Sequence, residues 1–489
     1  MTTLTSTTTP DDSAPAAASS ASPPSPSPSG GLLRTLKAVL IGTDQDFTEG
    51  NLTRAILLLA IPMVLEMAME SLFALVNTFW VSRLGAAAIA SVGLTESMMA
   101  IVYTVAIGFA MAGTAMVARR IGEKNARAAS VATAQVLWLA VGSGAVMGLG
   151  GGIFAPQLLR LMGASQEVVT TGTGFARIML GSQVVVILLF VLNGAFRGTG
   201  DAAMSMRTLW VANAINLVLD PCLIFGWGPF PQLGVAGTAV ATTVGRGVGV
   251  LMQLWVLASG RRRIRLQRET LAPALKVIGR LARMSLGGMG QYLIATASWV
   301  AMVRIVSRFG DQAVAGYTVA MRVVFVALLP AWGMSNAAAT LVGQNLGAGK
   351  PGRAEQSVFR AAAYNMAFMG AVALVLIFAT DLVLVPFGTD PGIVPIARTA
   401  LRTLAYGFVF YGLGMVVVQS FNGAGDTLTP TRINLVTFWL IQVPLGYSLA
   451  VWGRMGPPGV FWAVAISYSI QAVLGLLAFR RGTWKTRTV

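Results

Sequence analysis

The sequence predicts an all-α integral membrane protein of 12 transmembrane helices in two six-helix lobes related by a parallel internal repeat. Three observations predict it: a composition poor in charge, a series of apolar segments long enough to cross a bilayer, and motifs that recur at one constant offset. The 489 residues are 55% hydrophobic and 11% charged, with a mean hydropathy of +0.71. Soluble domains carry roughly 25% charged residues. So few charges cannot cover a water-facing surface, which excludes a soluble multidomain enzyme. The chain has no histidine, so Ser-His-Asp and Cys-His chemistry, imidazole metal sites and histidine relays are excluded. Chemistry near neutral pH must then rest on carboxylates. A single cysteine, Cys222, excludes an intrachain disulfide.

Residues 1–50 read as a disordered Ser/Thr/Pro/Ala tail followed by a short amphipathic stretch through Leu32, Leu33, Leu36 and Leu40. The tail has neither the basic start nor the apolar core of a signal peptide, so no cleavage is expected. A bilayer crossing takes about 20 apolar residues, and such segments fall at 55–81, 88–117, 128–152, 167–195, 204–226 and 234–258. A basic linker over 261–284 leads into a second set at 281–307, 312–341, 357–383, 393–421, 429–452 and 459–479. The lobes are then 51–260 and 285–480, with a basic tail at 481–489.

Lysine and arginine concentrate in the two tails and in the loops after even-numbered spans, among them Arg119, Arg120, Lys124, Arg127 and Arg261-Arg262-Arg263. The loops after odd-numbered spans carry few, such as Arg83, Arg160, Arg308 and Arg454. The positive-inside bias places both termini and the central linker in the cytoplasm of a multi-pass inner-membrane protein. The net charge of +17 is therefore a topology signal aided by anionic lipid headgroups, and no nucleic-acid partner is expected.

Ser82-Arg83-Leu84-Gly85 matches Ser307-Arg308-Phe309-Gly310 at an offset of 225 residues. Gly122 matches Gly347, Phe196-Arg197-Gly198-Thr199-Gly200-Asp201 matches Phe421-Asn422-Gly423-Ala424-Gly425-Asp426, and Met162-Gly163, Arg207 and Gly234-Val235 match Phe387-Gly388, Arg432 and Gly459-Val460, all at that offset. Six spans per copy is an even number, so both copies have the same orientation and are related about the membrane normal. That geometry permits two lobes to rock about a central cavity.

A charge at bilayer depth costs at least ~2.5–3.5 kcal/mol on insertion scales, which marks intramembrane acids for function or pairing. They are Glu66 and Glu70 in span 1, Glu96 in span 2 and Asp220 in span 5. Their counterparts at the repeat offset are Gln291, Ala295, Met321 and Leu445, all neutral, so cation chemistry is expected in the first lobe alone. Asp220 is the leading candidate. Asn216 lies one turn before it, and Pro221 frees a carbonyl in the preceding turn. Such oxygens suit a hard monovalent cation or a bound proton. Glu66, Glu70 and Asn77 form one helical stripe. Gln291, Tyr292, Tyr411, Gln419 and Asn422 are cavity candidates in the second lobe, against the plainer reading of interhelical hydrogen bonding. Arg246, Arg322, Arg398 and Arg402 lie within spans and should face acids or the cavity, Arg322 standing beside the counterpart of Glu96.

The order and spacing of Asn216-Leu-Val-Leu-Asp220-Pro221, Gly198-Thr-Gly-Asp201, Gly423-Ala-Gly-Asp426 and Gly343-Gln344-Asn345-Leu346-Gly347 resemble the multidrug and toxic compound extrusion (MATE) transporters over about residues 50–480. The resemblance is closer to the DinF-like than to the NorM-like type. It implies an N-lobe cation site whose positions here are Asn77, Asn216, Asp220 and Thr238. Asn77 departs from the family pattern, which has aspartate there, and Glu70 or Glu66 is available on the same face to compensate. NorM-like acids of helices 7 and 10 have no equivalent around Ala295 and Tyr411, so no C-lobe cation site is expected. Gly347-Ala-Gly349-Lys350-Pro351 is not a Walker A sequence, so no ATPase is expected. The resemblance implies a monomeric, cofactor-free, non-enzymatic antiporter that exchanges amphipathic, often cationic, organic compounds for protons or sodium ions. The alternatives are a flippase for lipid-linked precursors or polysaccharides and a dedicated natural-product exporter.

Overall fold

The structure is a computed structural model that describes residues 46–260, 262–387 and 390–487, which contain helices and no strand. The expected tail and amphipathic stretch up to residue 45, together with Arg261 and Gly388, lie outside the described residues. The first lobe comprises α1 (Leu52–Ser82), α2 (Ala86–Gly122), α3 (Ala126–Ile153), α4 (Gln166–Gly181 and Gln183–Thr199), α5 (Ala202–Phe225) and α6 (Val235–Ser259). The second comprises α7 (Leu275–Val306), α8 (Asp311–Gly347), α9 (Pro351–Phe378), α10 (Val394–Gly423), α11 (Leu428–Trp452) and α12 (Pro457–Arg480). Eleven of these are individually long and apolar enough to cross a bilayer, and α4 crosses as two pieces bent by 44°. The break falls at Gly181-Ser182, a residue pair at which helices commonly kink.

Register-matched positions do the same work in both lobes. Gly200 and Gly425 take positive φ, 93° and 86°, to end α4 and α10. The following Asp201 and Asp426 cap α5 and the start of α11 by accepting from the Met204 and Thr429 backbone N–H groups. Each capping carboxylate also pairs with an arginine that follows the last helix of its lobe: Arg262 to Asp201 at 3.4 Å and Arg487 to Asp426 at 3.6 Å. These arginines too stand at the repeat offset. The copies diverge in α11, which carries Pro430 and Pro444 and opens into wide π turns at Leu435–Gln442 and Ser448–Trp452. Proline removes a helical donor and crowds the preceding turn, and a widened turn absorbs the defect.

The lobes meet by exchange: α1 packs on α8 and α7 packs on α2, while α1 and α2 touch little. This seam is closed near the end that bears Arg119, Arg120, Lys124 and Lys350, here called the basic end. Gly122 lies against the Gln344 carbonyl and Gly347 against the Arg119 carbonyl, so a Cβ at either would overlap backbone oxygen. Nearer the middle, Gly108 faces Met289 and the Ser285 carbonyl, and its counterpart Gly333 faces Val64 and Met63. The first and last described segments cross the same end. Phe47 is buried against Gly200 of the first lobe, while Arg353 and Lys350 of α9 and its approach hold the Phe47, Thr48 and Glu49 backbone and side chain. On the other side Arg119 of α2 donates to the Arg487 carbonyl.

Backbone against backbone has no soft atom to yield. Gly122→Val or Gly347→Val should therefore destabilise by about 2–3 kcal/mol, read as a melting point several degrees lower in detergent. Gly142→Val, whose Cβ would enter open space, should leave melting within error of the parent.

Candidate functional site

Helices α5 and α6 approach through glycine: a Cβ on Gly237 or Gly245 would lie 2.5 Å from the Leu223 or Ala212 carbonyl. The contact draws Asn216 and Asp220 of α5 and Thr238 of α6 into one buried seam. Asp220 is 0% exposed. Neither of its carboxyl oxygens has a hydrogen-bond partner among the described residues, and the same holds for Asn216 Oδ1 and Thr238 Oγ1. Asn216 is oriented by its other end, with Nδ2 donating to Thr242 Oγ1 at 3.2 Å. Pro221 lies inside α5, which continues to Phe225, so Asp220 is not a helix-ending cap at the surface. Leu217 loses its helical donor to that proline, adding a free carbonyl one turn away. Four orphaned side-chain oxygens with a carboxylate among them fit a proton or a small hard cation. Asn77 is half-buried on α1 one turn before Trp80, whose ring meets Phe225 at 6.0 Å and Trp227 at 6.2 Å. That face of α1 therefore lies beside the turn of α5 that follows Asp220.

The two glutamates of α1 separate. Glu66, 1% exposed, forms an ion pair with Arg197 of α4 and accepts from Asn193 Nδ2 at 3.5 Å. Gln253 of α6 donates to Asn193 Oδ1 at 2.7 Å and completes the network. In the second lobe the same two positions hold Gln291 and Asn422, which exchange hydrogen bonds of 2.9 and 3.0 Å. An ion pair in one copy is thus a reciprocal amide pair in the other. Gln291 also donates to the Thr427 carbonyl, Asn422 to Gln419, and Gln419 to Asn336, so these expected cavity residues are engaged in packing between helices.

Glu70, with its side chain 41% exposed, lies 3.8 Å from Arg246 of α6 and accepts from Asn213 of α5 at 3.5 Å. Arg246 also interacts with Glu96 and the Tyr103 phenol of α2, and Tyr103 with Tyr292 of α7 across the lobes. Side chains from α1, α2, α5 and α6 converging on one guanidinium face the lobe interior and not lipid. Tyr411 stacks on Tyr468 with centroids 3.9 Å apart, inside the second lobe. Arg398 and Arg402 pair with Asp381, as arginines within spans should. Arg322 is exposed on α8 and has no ion pair among the described residues; its neighbour Met321 stands where the first copy has Glu96.

The MatE family model matches the chain twice, over residues 62–222 and 289–448, once in each lobe. The chain belongs to the MATE family of membrane transporters. Among relatives, the "probable multidrug resistance protein YoeA" of Bacillus subtilis is 24% identical over 91% of this chain and 97% of its own. The "FAD transporter" of Shewanella oneidensis is 26% identical over 80% and 87%. A MOP superfamily transporter of Pyrococcus furiosus, described as having a binding pocket whose reverse polarity suggests a different function, superposes with TM-score 0.84 at 25% identity, covering 91% of this chain and 98% of that one. An outward-facing multidrug resistance MATE transporter gives the same score and identity over 90% and 98%.

Within this MATE fold, sequence reasoning missed Arg197, Asn193, Tyr103 and Asn213. Arg197 reads as part of a glycine-rich turn, yet it occupies the last turn of α4. The available signal was a joint exchange in the repeat register, Glu66 to Gln291 with Arg197 to Asn422. A direct test follows from it. Glu66→Gln alone strands a buried guanidinium and should cost about 3 kcal/mol. Adding Arg197→Asn installs the amide pair of the second lobe and should recover most of that loss in a double-mutant cycle of thermal stability.

Proposed function

We propose that the chain is a multidrug efflux antiporter that expels amphipathic, often cationic, organic compounds as protons or sodium ions enter. The observation that carries this reading is Asp220, fully buried with both oxygens unpartnered beside the orphaned oxygens of Asn216 and Thr238. A carboxylate inside the membrane without a counter-ion is stable only when it takes up a cation, and uptake from one side with release to the other is ion coupling. The DinF-like arrangement is supported by this first-lobe site and by the neutral residues at the matching positions of the second. Relatives carrying the name multidrug resistance protein support the substrate class.

With the basic end cytoplasmic, as the positive-inside bias requires, both termini lie inside and the glycine seam closes the cytoplasmic side of the cytoplasmic membrane. Transport then alternates by rocking the lobes about that seam. Cation binding at Asp220 shifts α5 against α6 and competes with cargo in the first lobe, the linker of residues 261–284 joining the moving parts. The protein works as a monomer with lipid and organic cargo as its partners and without a cofactor.

Asp220→Asn should abolish ion-driven efflux of ethidium from proteoliposomes while leaving the melting point at or above that of the parent, since a buried charge is removed. Separate imposed pH and sodium gradients identify the coupling ion in the parent protein. Undiminished gradient-driven efflux from the variant would remove Asp220 from the mechanism.

A further inference from the structure

The cluster around Arg246 shares no residue with the pocket of Asn216, Asp220 and Thr238. Its chemistry is unusual for a site that takes simple cations. Arg246 places its guanidinium among Glu70, Glu96, Asn213 and Tyr103, from three neighbouring helices. The side chain is 11% exposed, and its Nη1 is buried without a hydrogen-bond partner among the described residues. The contact with Glu70, 3.8 Å from Nη2, is too long for a hydrogen bond. Arginine offers five donors in a rigid fork matched to carboxylate, and here that fork is under-used in a membrane interior. Glu96, by contrast, is exposed and interacts with the same guanidinium through charge.

Counting formal charges, two glutamates surround one arginine, so an acid is left over after Arg246 is answered. The matching positions of the second lobe are Ala295, Met321, Leu328, Phe438 and Gln471, none of them charged. The cluster therefore has no part in the scaffold that the lobes share.

We propose that this cluster is a bipolar subsite for amphoteric organic compounds, in which Arg246 takes a carboxylate through its unpartnered Nη1 face and Glu96 takes a protonated amine. The inference rests on the efflux reading above and narrows its substrate class. A carboxylate that reaches Arg246 forms charge-assisted hydrogen bonds which the distant Glu70 does not supply. A compound with an amine alone meets the guanidinium as a repulsive neighbour and gains only Glu96. Arg246 is then a specificity-determining residue that favours a zwitterion over its cationic ester.

The experiment compares equilibrium binding of ciprofloxacin, which carries both groups, with that of ciprofloxacin methyl ester, on the purified full-length protein in detergent. The quantity read is the ester-to-acid ratio of dissociation constants. In the parent it should exceed one, and Arg246→Gln, which installs the residue of the second lobe, should lower it at least about tenfold. Arg246→Lys, which keeps charge but not the fork, should give an intermediate ratio. Glu70→Gln combined with Arg246→Gln preserves the cluster's net charge and should show the same collapse, which guards against misfolding of the single variant. A ratio unmoved by Arg246→Gln or by the double variant overturns the subsite. Transport is scored separately: a parent that expels ethidium while the ratio stays unmoved defeats the subsite and not the efflux reading. A parent that binds as expected but carries neither ethidium nor ciprofloxacin across proteoliposomes defeats the efflux reading and not the subsite.

Discussion

Charge in hydrocarbon must be answered, and the interior of the first lobe is organised by how each acid meets that demand. Glu66 receives a full counter-ion and two amides, Asn193 directly and Gln253 through it. Glu70 shares a distant arginine with Glu96. Asp220 receives no hydrogen bond among the described residues. Carboxylates thus range from fully paired to unpaired, over one face of α1 and its neighbours. A buried pair with satisfied geometry holds helices in register, whereas an unanswered carboxylate stores an affinity that only an incoming cation can discharge.

Duplication gave both lobes the same frame and left their interiors free to diverge. The preserved features are those at which backbones touch or helices end: Gly122 and Gly347, Gly108 and Gly333, and the Asp-capped turns with their arginine clasps. Each requires a small residue or a fixed φ, so substitution there costs both copies alike. The interior is subject to a weaker demand, which is only that polarity be internally paired. Gln291 with Asn422 meets it as well as Glu66 with Arg197, without ionised groups to bury. At the positions that match the four first-lobe acids the second lobe carries no charge.

Much of this was legible in the chain because hydropathy and the repeat offset report on constraints that the membrane imposes everywhere. Spans and lobes follow from those alone, and the family resemblance from the order and spacing of its motifs. Asn216 and Asp220 were identified by type and spacing and Thr238 through the family resemblance, and the glycine contacts of α5 and α6 explain why they share one seam. What stayed hidden depends on partners chosen in three dimensions. Glu66 and Glu70 are one turn apart on a single stripe, yet α4 answers the first and α6 the second, a difference no periodicity contains. The π turns of α11 and the break at Gly181-Ser182 lie within single spans by hydropathy, which is blind to a missing hydrogen bond. Arg197 was obscured by its glycine neighbours, which look like a turn until the helix is seen to run past them.

The placement of the two first-lobe sites bears on how cargo and ion communicate in the proposed cycle. Asn213 of the Arg246 cluster precedes Asp220 by two helical turns on α5, about 10 Å at the usual rise. On α6, Thr238 of the ion pocket precedes Arg246 by about 12 Å. The same two helices therefore carry a ligand of each site, and their backbones are in contact at Gly237 and Gly245. A cation that draws Asp220 toward Thr238 must shift or tilt one helix against the other, since the glycine contact leaves no slack between them. Any such shift changes the distance between Asn213, Glu70 and Arg246 at the other end of the pair. Coupling then needs no relay through the lobe: it is a linkage between two ligands that favour different relative positions of one helix pair, and by reciprocity cargo must weaken the ion as much as the ion weakens cargo.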